Sequence, residues 1–405
     1  MKKISLSKKM IIASICGLAF GIIFSDFSKD IKFIGDIFLR LMQMSVVFLV
    51  MGAMIESVGS IAPKDLGKLG IKAILLFLVT TLLSATIGIL VVNIIKPGIG
   101  INIQNTLEFT KPVIDNNIID MIINFVPINI FKSMSEGNMI QVIIFSIFFG
   151  LAISTSVHFD EAQHVLSFIK SVNAVIMRII ELVMVFAPIG IFALIASMTG
   201  NYGITILIPL GKYLIAMIIG AISVFGIGLI VVGLYAKVAP HKILLKLKDT
   251  IVVSMTTTSS AVSLPMQMHD CENKLGISKR VSRLVNPLAM SLNSDGLALS
   301  ISIACIMIAQ FFGIELTLYQ QIIIVLISTF TTMGNLLVPG GALVAFSVAF
   351  TMVGLPIEGI ALLAGVEWFA GIPRTLLNVI DDVLITMFIA VNEKEFDREK
   401  FNESK

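Results

Sequence analysis

Apolar segments long enough to cross a lipid bilayer recur along most of the chain. A transmembrane helix needs about 20 predominantly apolar residues, because the hydrocarbon core is roughly 30 Å thick. Eight segments fit this description, at residues 10–25, 38–56, 70–95, 138–156, 173–198, 204–235, 284–312 and 355–393. The chain is 57% hydrophobic and 14% charged, whereas soluble domains are about one-quarter charged. The sequence therefore predicts an all-α integral membrane protein with eight transmembrane helices.

The distribution of basic residues predicts how these helices are oriented. Lysines and arginines cluster at residues 2–9, 64–72, 237–248 and 274–283, while 312–366 contains neither. Since cytoplasmic loops are enriched in Lys and Arg, we expect these clusters and both termini in the cytoplasm, with the protein in a bacterial cytoplasmic membrane. The first apolar run resembles a signal peptide, but no small-residue cleavage site precedes Asp26, so we expect a retained first helix.

Composition also argues against several classes of protein. The net charge of +3 follows from the basic loops and does not indicate a nucleic acid partner. An intramembrane hydrolase with Ser260 as nucleophile would need a nearby base. All four histidines fall in predicted loops, at His158, His164, His241 and His269. The sequence therefore disfavours an enzyme, and we expect no organic cofactor.

Charged and amide side chains interrupt two of the apolar helices. Asn293 and Asp295 lie in the seventh predicted span, and Arg374, Asn378 and Asp382 lie in the eighth. Charged groups at membrane depth are costly unless they pair, bind an ion or line a wet cavity. The pattern favours a protein that moves a charged solute. The alternative is that these amides and acids only join helices by hydrogen bonds.

Two further apolar segments are too polar in their centres to face lipid. Residues 249–268 contain a run of threonines and serines followed by Pro265, and residues 321–353 contain Val338 and Pro339 followed directly by two glycines. Irregular backbone at membrane depth is tolerated only inside protein or beside a water-filled cavity. Paired interruptions in two halves of a chain point to a transporter with inverted repeats. We therefore expect two re-entrant helical hairpins, whose tips enter from opposite sides.

Four motifs in order resemble the dicarboxylate/amino acid:cation symporter family, which includes sodium-coupled glutamate and aspartate transporters. The matching segments are the hairpin tip 257–265, Asn293 to Gly296, the second tip 338–341, and Arg374 to Asp382, with a further match at 126–143. The resemblance implies a homotrimer in which a transport domain slides across the membrane as an elevator. It divides the chain into scaffold helices 1–2 (1–69), helix 3 of the transport domain (70–97), scaffold helices 4–5 (98–200), the rest of the transport domain (201–395) and a cytoplasmic tail (396–405).

The resemblance also implies sites for co-transported Na⁺. Asn293, Asn378 and Asp382 would bind one ion, and Asp295 and Asn293 would bind another together with Thr80 or Thr81. A remaining site would use Ser291 and main-chain carbonyls of the second hairpin, at Thr332, Met333 and Asn335.

The substrate implied by the resemblance is a small carboxylate. Glycine lets backbone N–H groups approach an anion closely, and a guanidinium matches a carboxylate with two parallel hydrogen bonds. The implied substrate-binding residues are Ser259, Ser260, Val338, Gly340, Gly341, Arg374, Thr375 and Asn378. Arg374 has an alternative role in a salt bridge with Glu367 or Asp381. For Thr256 and Thr257 we expect hydroxyls that bond to their own helix.

Two departures from the family pattern leave the substrate open. Amino acid transporters of the family carry an aspartate three positions before the arginine, where Gly371 stands here, and a threonine where Leu297 stands. Their absence favours a C4-dicarboxylate, while Glu367, one turn away, would restore an ammonium partner. We expect sodium-coupled uptake of an acidic amino acid or a C4-dicarboxylate. The alternatives are a proton-coupled or neutral amino acid symporter of the same family and, outside it, an ion channel.

Overall fold

The computed structural model describes residues 6–60, 68–99, 123, 126–156, 159–332 and 341–403, and these residues are predominantly helical. The helices of the first half are α1 (Leu6–Ile23), α2 (Ser25–Asp30), α3 (Lys32–Gln43), α4 (Val46–Gly59), α5 (Lys68–Ile95), α6 (Ile130–Glu136), α7 (Met139–Ser154) and α8 (Phe159–Tyr202). The helices of the second half are α9 (Leu207–Ala236), α10 (Pro240–Lys246), α11 (Lys248–Thr257), α12 (Ser260–Asn273), α13 (Lys279–Leu292), α14 (Asp295–Phe311), α15 (Leu318–Thr332), α16 (Gly341–Val353), α17 (Gly359–Asn392) and α18 (Arg398–Glu403).

Among the residues that the structure describes, five helical segments are long and apolar enough to cross a membrane. They are Lys68–Ile95, Glu161–Asn201, Gly203–Ala236, Lys279–Phe311 and Gly359–Asn392. Each contains or overlaps one of the eight predicted spans. The other three predicted spans fall on shorter apolar helices, and the span 38–56 is divided between α3 and α4 by a turn at Met44 and Ser45. The integral membrane character is therefore evident, whereas the count of eight transmembrane helices stays a prediction.

Both interrupted segments form pairs of short helices that pack against each other. In the first pair, α11 ends where Thr258 adopts a left-handed conformation with φ of 48°, and Ser259 precedes α12 in an extended conformation. In the second pair, α15 contacts α16, and the connecting residues 333–340 lie outside the described residues. The inverted symmetry of the two pairs and their entry from opposite sides remain predictions.

Helix α14 lies at the centre of the second half. It contacts α5, α9, α15, α16 and α17, and the most apolar part of the Lys279–Phe311 segment is buried entirely within the protein. Helices α1, α2, α3 and α4 instead pack against α8. The helices thus fall into two groups, one around α14 and α17 and one around α8. The assignment of these groups to the predicted transport and scaffold domains remains a proposal.

Candidate cation and carboxylate site

The polar centre of the protein begins at a break between α13 and α14. Asn293 (φ −109°, ψ 118°) and Ser294 (φ −139°, ψ 60°) leave the helical conformation. Asn293 is 1% exposed and Asp295 is fully buried. The break lets two side chains that would diverge on a continuous helix turn toward the same neighbours.

The glycine after Asp295 lies where two helices approach closely. Gly296 belongs to the first turn of α14, just after the break. A Cβ atom at this position would lie 2.1 Å from the carbonyl oxygen of Arg374. The glycine is therefore required because the backbone of α17 passes directly over it.

Replacing Gly296 by alanine is expected to destabilise the protein. The methyl group would collide with backbone atoms, and overpacking of this kind costs about 1–3 kcal/mol. The melting temperature of Gly296→Ala in detergent should fall below that of Gly226→Ala, a matched control in α9 whose added Cβ meets nothing within 4 Å. Equal melting temperatures would contradict the close approach of α14 and α17.

The amide of Asn293 joins three of the predicted sodium-binding elements. Its Nδ2 donates to Asp382 Oδ1 at 3.0 Å and to Asp295 Oδ2 at 3.3 Å. Its Oδ1 accepts hydrogen bonds from Thr81 Oγ1 at 3.1 Å and Thr80 Oγ1 at 3.4 Å. Helices α5, α14 and α17 thus meet at one buried amide.

The remaining predicted sodium ligands are placed differently. Asn378 Oδ1 accepts the backbone N–H of Gly296 at 2.7 Å, so its amide holds the start of α14. The hydroxyls of Ser291 and Thr332 donate to carbonyls of their own helices, at Pro287 (3.1 Å) and Thr329 (2.8 Å). Met333 and Asn335 lie outside the described residues.

The sequence interpretation missed two groups beside this centre. Ser84 Oγ donates to the carbonyl oxygen of Asp295 at 2.7 Å. Asp381 is 4% exposed, adjoins Asp382 on α17 and interacts electrostatically with Asp295 on α14. We considered Asp381 only as a partner of Arg374. A second acid in the Asn378 to Asp382 motif was the signal that should have singled it out.

Buried acidic groups without a cationic partner are the main electrostatic feature of the described site. Asp295 Oδ1, Asp381 Oδ2 and the hydroxyl of Ser294 are buried without a hydrogen-bond partner in the described part of the chain. Among all the residues that the structure describes, no group of three or more His, Cys, Asp or Glu side chains is arranged to hold a metal ion. A cation here would therefore use amide, hydroxyl and backbone oxygens beside the carboxylates, as hard cations accept.

Arg374 forms the salt bridge that we weighed as its alternative role. Its Nη2 donates to Glu367 Oε1, which lies seven residues earlier on α17. The side chains are only 15% and 9% exposed, and Arg374 Nη1 and Glu367 Oε2 have no partner among the described residues. Each side chain of the pair therefore has a polar atom left to bond. Arg374 Nη1 can donate a hydrogen bond, and Glu367 Oε2 can accept one.

The tip of the first helical pair agrees with the expected local chemistry. Thr256 Oγ1 and Thr257 Oγ1 donate to the carbonyl oxygens of Val252 (2.7 Å) and Val253 (2.8 Å), so the prediction that they bond to their own helix is confirmed. Ser259 Oγ accepts the N–H of Val262 at 3.4 Å at the start of α12. The Ser259 hydroxyl therefore caps the N-terminus of α12.

The other predicted substrate residues that are described lie on α17 or on helices that contact it. Ser260 is 8% exposed at the first position of α12, Gly341 is buried at the first position of α16, and Thr375 is 6% exposed. Helices α11, α12 and α16 all contact α17, which carries Arg374. Val338 and Gly340 lie outside the described residues.

Ion pairs fix the base of the first helical pair. Lys274 Nζ lies 2.5 Å from Asp249 Oδ2 on α11 and 2.8 Å from Asp270 Oδ1 on α12. The hydrogen bond from Lys274 lowers the pKa of the Asp249 carboxyl group. Because these contacts join the two helices at one end, they help to position the Ser259 tip at the other.

These features define an integral membrane protein with a buried polar centre between packed helices. A sequence profile described as the Sodium:dicarboxylate symporter family matches residues 6–391. The chain belongs to this family, as its motifs predicted. Because the family consists of transporters, the protein is a transporter rather than an enzyme.

Similar proteins cover nearly the whole chain. The proton/glutamate-aspartate symporter of Bacillus subtilis (strain 168) is 34% identical, over 99% of this chain and 98% of the relative. The proton/sodium-glutamate symport protein of Geobacillus stearothermophilus is 35% identical, over 99% and 97%. The C4-dicarboxylate transport protein of Bacillus subtilis (strain 168) is 31% identical, over 98% and 95%.

Proposed function

We propose that this protein couples the inward flow of sodium to the uptake of a small acidic solute. The observation that carries this proposal is the buried cluster of Asn293, Asp295 and Asp382, which contains carboxylates without a cationic partner. A buried carboxylate is strongly disfavoured unless it is paired. Arg374 is engaged by Glu367, so a mobile cation is the partner that the cluster lacks. The names of the family and of the Geobacillus relative support sodium as that cation.

Arg374 and its surroundings support an acidic substrate. Its free Nη1 offers a donor to a carboxylate, and charge-assisted hydrogen bonds of this kind are among the strongest in proteins. We infer that one carboxylate of the substrate binds here, and that the other binds at the helix starts near Ser260 and Gly341. The relatives named for glutamate, aspartate and C4-dicarboxylates support this substrate class.

Two observations favour different members of that class. Gly371 carries no side chain to bind an ammonium group, which favours a C4-dicarboxylate such as succinate or malate. The unpartnered Oε2 of Glu367 would accept a hydrogen bond from an ammonium group, which favours glutamate or aspartate. Both substrates would use Arg374 for a carboxylate.

We also propose an elevator movement of the α14–α17 group against the α8 group within a homotrimer. An apolar cavity of about 300 Å³ lies between the two groups, lined by residues of α1, α8, α9 and α17. Its lining includes Leu18, Ile195, Leu210 and Leu362. Incomplete, apolar packing at this boundary supports sliding, since few specific contacts there would have to break.

Uptake into liposomes tests the proposal. Purified protein should accumulate labelled succinate, malate, aspartate or glutamate under an inward sodium gradient, and replacing external sodium with choline should remove accumulation. Undiminished uptake in sodium-free buffer under a proton gradient would overturn sodium coupling and favour a proton-coupled symporter. Flux of tracer ions at channel rates without solute would favour a channel.

Substrate choice is expected to depend on Gly371. If this glycine leaves no ammonium site, succinate or malate should compete better than aspartate, because an unpaired buried ammonium group is penalised by several kcal/mol. A Cβ atom at this position would lie 3.4 Å from Arg374 Nη2, so Gly371→Asp places a carboxylate beside the guanidinium. The variant should lose dicarboxylate affinity and shift toward aspartate.

Competition assays at fixed sodium would measure this change. Gly371→Asn is the control, since it adds a side chain of the same size without the charge, and it should not gain aspartate affinity. Tight binding of aspartate by the wild type, with no detectable binding of dicarboxylates, would contradict the role of Gly371 and assign the ammonium group to Glu367.

A further inference from the structure

Two buried carboxyl groups lie side by side with no donor between them. Asp295 is fully buried and Asp381 is 4% exposed, and the two groups interact electrostatically across the contact between α14 and α17. Asp295 Oδ2 accepts from Asn293 Nδ2 at 3.3 Å, but Asp295 Oδ1 and Asp381 Oδ2 have no partner in the described part of the chain. Two neighbouring carboxylates repel each other strongly in a medium of low dielectric constant.

No cationic side chain relieves this repulsion in the described surroundings. The charged group that faces Asp381 from α14 is Asp295, and its neighbour on α17 is Asp382. The facing residue of α9 is Gly228, whose added Cβ would lie 3.1 Å from Asp381 Oδ1. Gly228 has no side chain that could donate to this carboxylate, and an added Cβ would also lie 3.0 Å from Leu384 Cδ1.

We propose that Asp381 is a ligand of the sodium ion at Asp295, so that this ion is held by two carboxylates rather than one. The proposal rests on sodium coupling as proposed above and adds a residue that the sequence motif did not assign. The hydroxyl of Ser294, next to Asp295 in the helix break, is a third buried oxygen atom without a partner. A hard cation binds several oxygen atoms at once, whereas a single proton shared by two carboxylates would leave the Ser294 oxygen unsatisfied.

Replacing Asp381 by asparagine is expected to preserve or raise the stability of the sodium-free protein and to weaken its binding of sodium. Without sodium, Asp381→Asn removes the repulsion and supplies an N–H donor to Asp295, so the variant should melt at or above the temperature of the wild type. With sodium, the variant lacks one charged ligand. The sodium concentration that gives half of the maximal stabilisation should rise about tenfold or more, the scale of loss when a metal site loses a supporting group.

The measurement is the melting temperature of purified protein in detergent across a series of sodium chloride concentrations, with choline chloride holding ionic strength constant. A ligand that binds only the folded state raises this temperature with its concentration, so no transported solute is required. Asp36→Asn is the control, since Asp36 is a half-exposed carboxylate on α3 paired with Lys32, and it should leave the sodium midpoint unchanged.

The outcomes separate this inference from the proposed function. A wild-type protein that sodium does not stabilise would overturn sodium coupling itself. A wild type stabilised by sodium, with an Asp381→Asn variant of equal sodium midpoint, would overturn only the role of Asp381. A pH series at fixed sodium tests the alternative that Asp295 and Asp381 share a proton. If Asp381→Asn changes only the pH dependence of the melting temperature, a shared proton replaces the sodium ion in this role. Failure of the variant to fold without sodium would also contradict the inference, since relief of repulsion predicts the reverse.

Discussion

Asp382→Asn is expected to remove sodium-driven uptake while leaving the protein folded. Asparagine keeps the shape of the side chain, and its oxygen can still accept the hydrogen bond that Asp382 Oδ1 receives from Asn293 Nδ2 at 3.0 Å. Only the negative charge is lost. Removing one partner of a buried charge pair costs about 3–5 kcal/mol, and every 1.4 kcal/mol is tenfold in affinity. We therefore expect sodium affinity to fall by roughly a hundredfold or more.

Substrate binding at several sodium concentrations would reveal the same loss. If sodium and substrate sites are coupled, sodium raises substrate affinity and substrate raises sodium affinity by the same factor. This coupling should weaken in Asp382→Asn and persist in Asp36→Asn, which makes the same chemical change on α3. Sodium-driven uptake by Asp382→Asn at the wild-type rate would show that the carboxylate is not part of the ion site, and that its contact with Asn293 only joins two helices.

Some contacts of the candidate site were predictable because they are local in sequence. A threonine on a short helix can reach the carbonyl of its own preceding turn, and Thr256 and Thr257 do so. Asn293, Asp295 and Asp382 stand out because amide and acidic groups are expensive in an apolar segment. The broken segments 249–268 and 321–353 were recognisable because hydroxyl groups, prolines and glycines interrupt an apolar run. The first segment is divided at Thr258 and Ser259, within its polar centre.

The contacts that sequence analysis missed depend on how closely two helices approach. The need for glycine at position 296 follows from the path of the α17 backbone past α14, which no local pattern reveals. Asp381 was considered as a salt-bridge partner of Arg374 because both lie on one helix. In the structure Arg374 pairs with Glu367, and Asp381 interacts with Asp295 on another helix. The division of the span 38–56 at Met44 and Ser45 has no evident signal in the sequence.

Arg374→Lys is expected to lower the affinity for a doubly charged substrate by two to three orders of magnitude. Lysine keeps the positive charge near Glu367, so the buried acid retains a partner, but it cannot present the planar fork that binds a carboxylate with parallel hydrogen bonds. Losing one partner of a buried, charge-assisted pair costs about 2–5 kcal/mol. Arg374→Ala should have at least as large an effect, though it also leaves Glu367 without a counter-charge.

Glu367→Gln distinguishes a substrate-binding arginine from one that serves only its salt bridge. If Arg374 binds substrate, Glu367→Gln releases the guanidinium from its present partner and should preserve or raise succinate affinity. If Glu367 also holds an ammonium group through its free Oε2, the same variant should lose affinity for aspartate while sparing succinate. Affinities of both solutes, measured at saturating sodium for each variant and for Arg374→Ala/Glu367→Gln, would separate these cases. Recovery of wild-type affinity in the double variant would mean that the arginine acts only to neutralise Glu367, because a substrate ligand cannot be restored by removing its neighbour's charge.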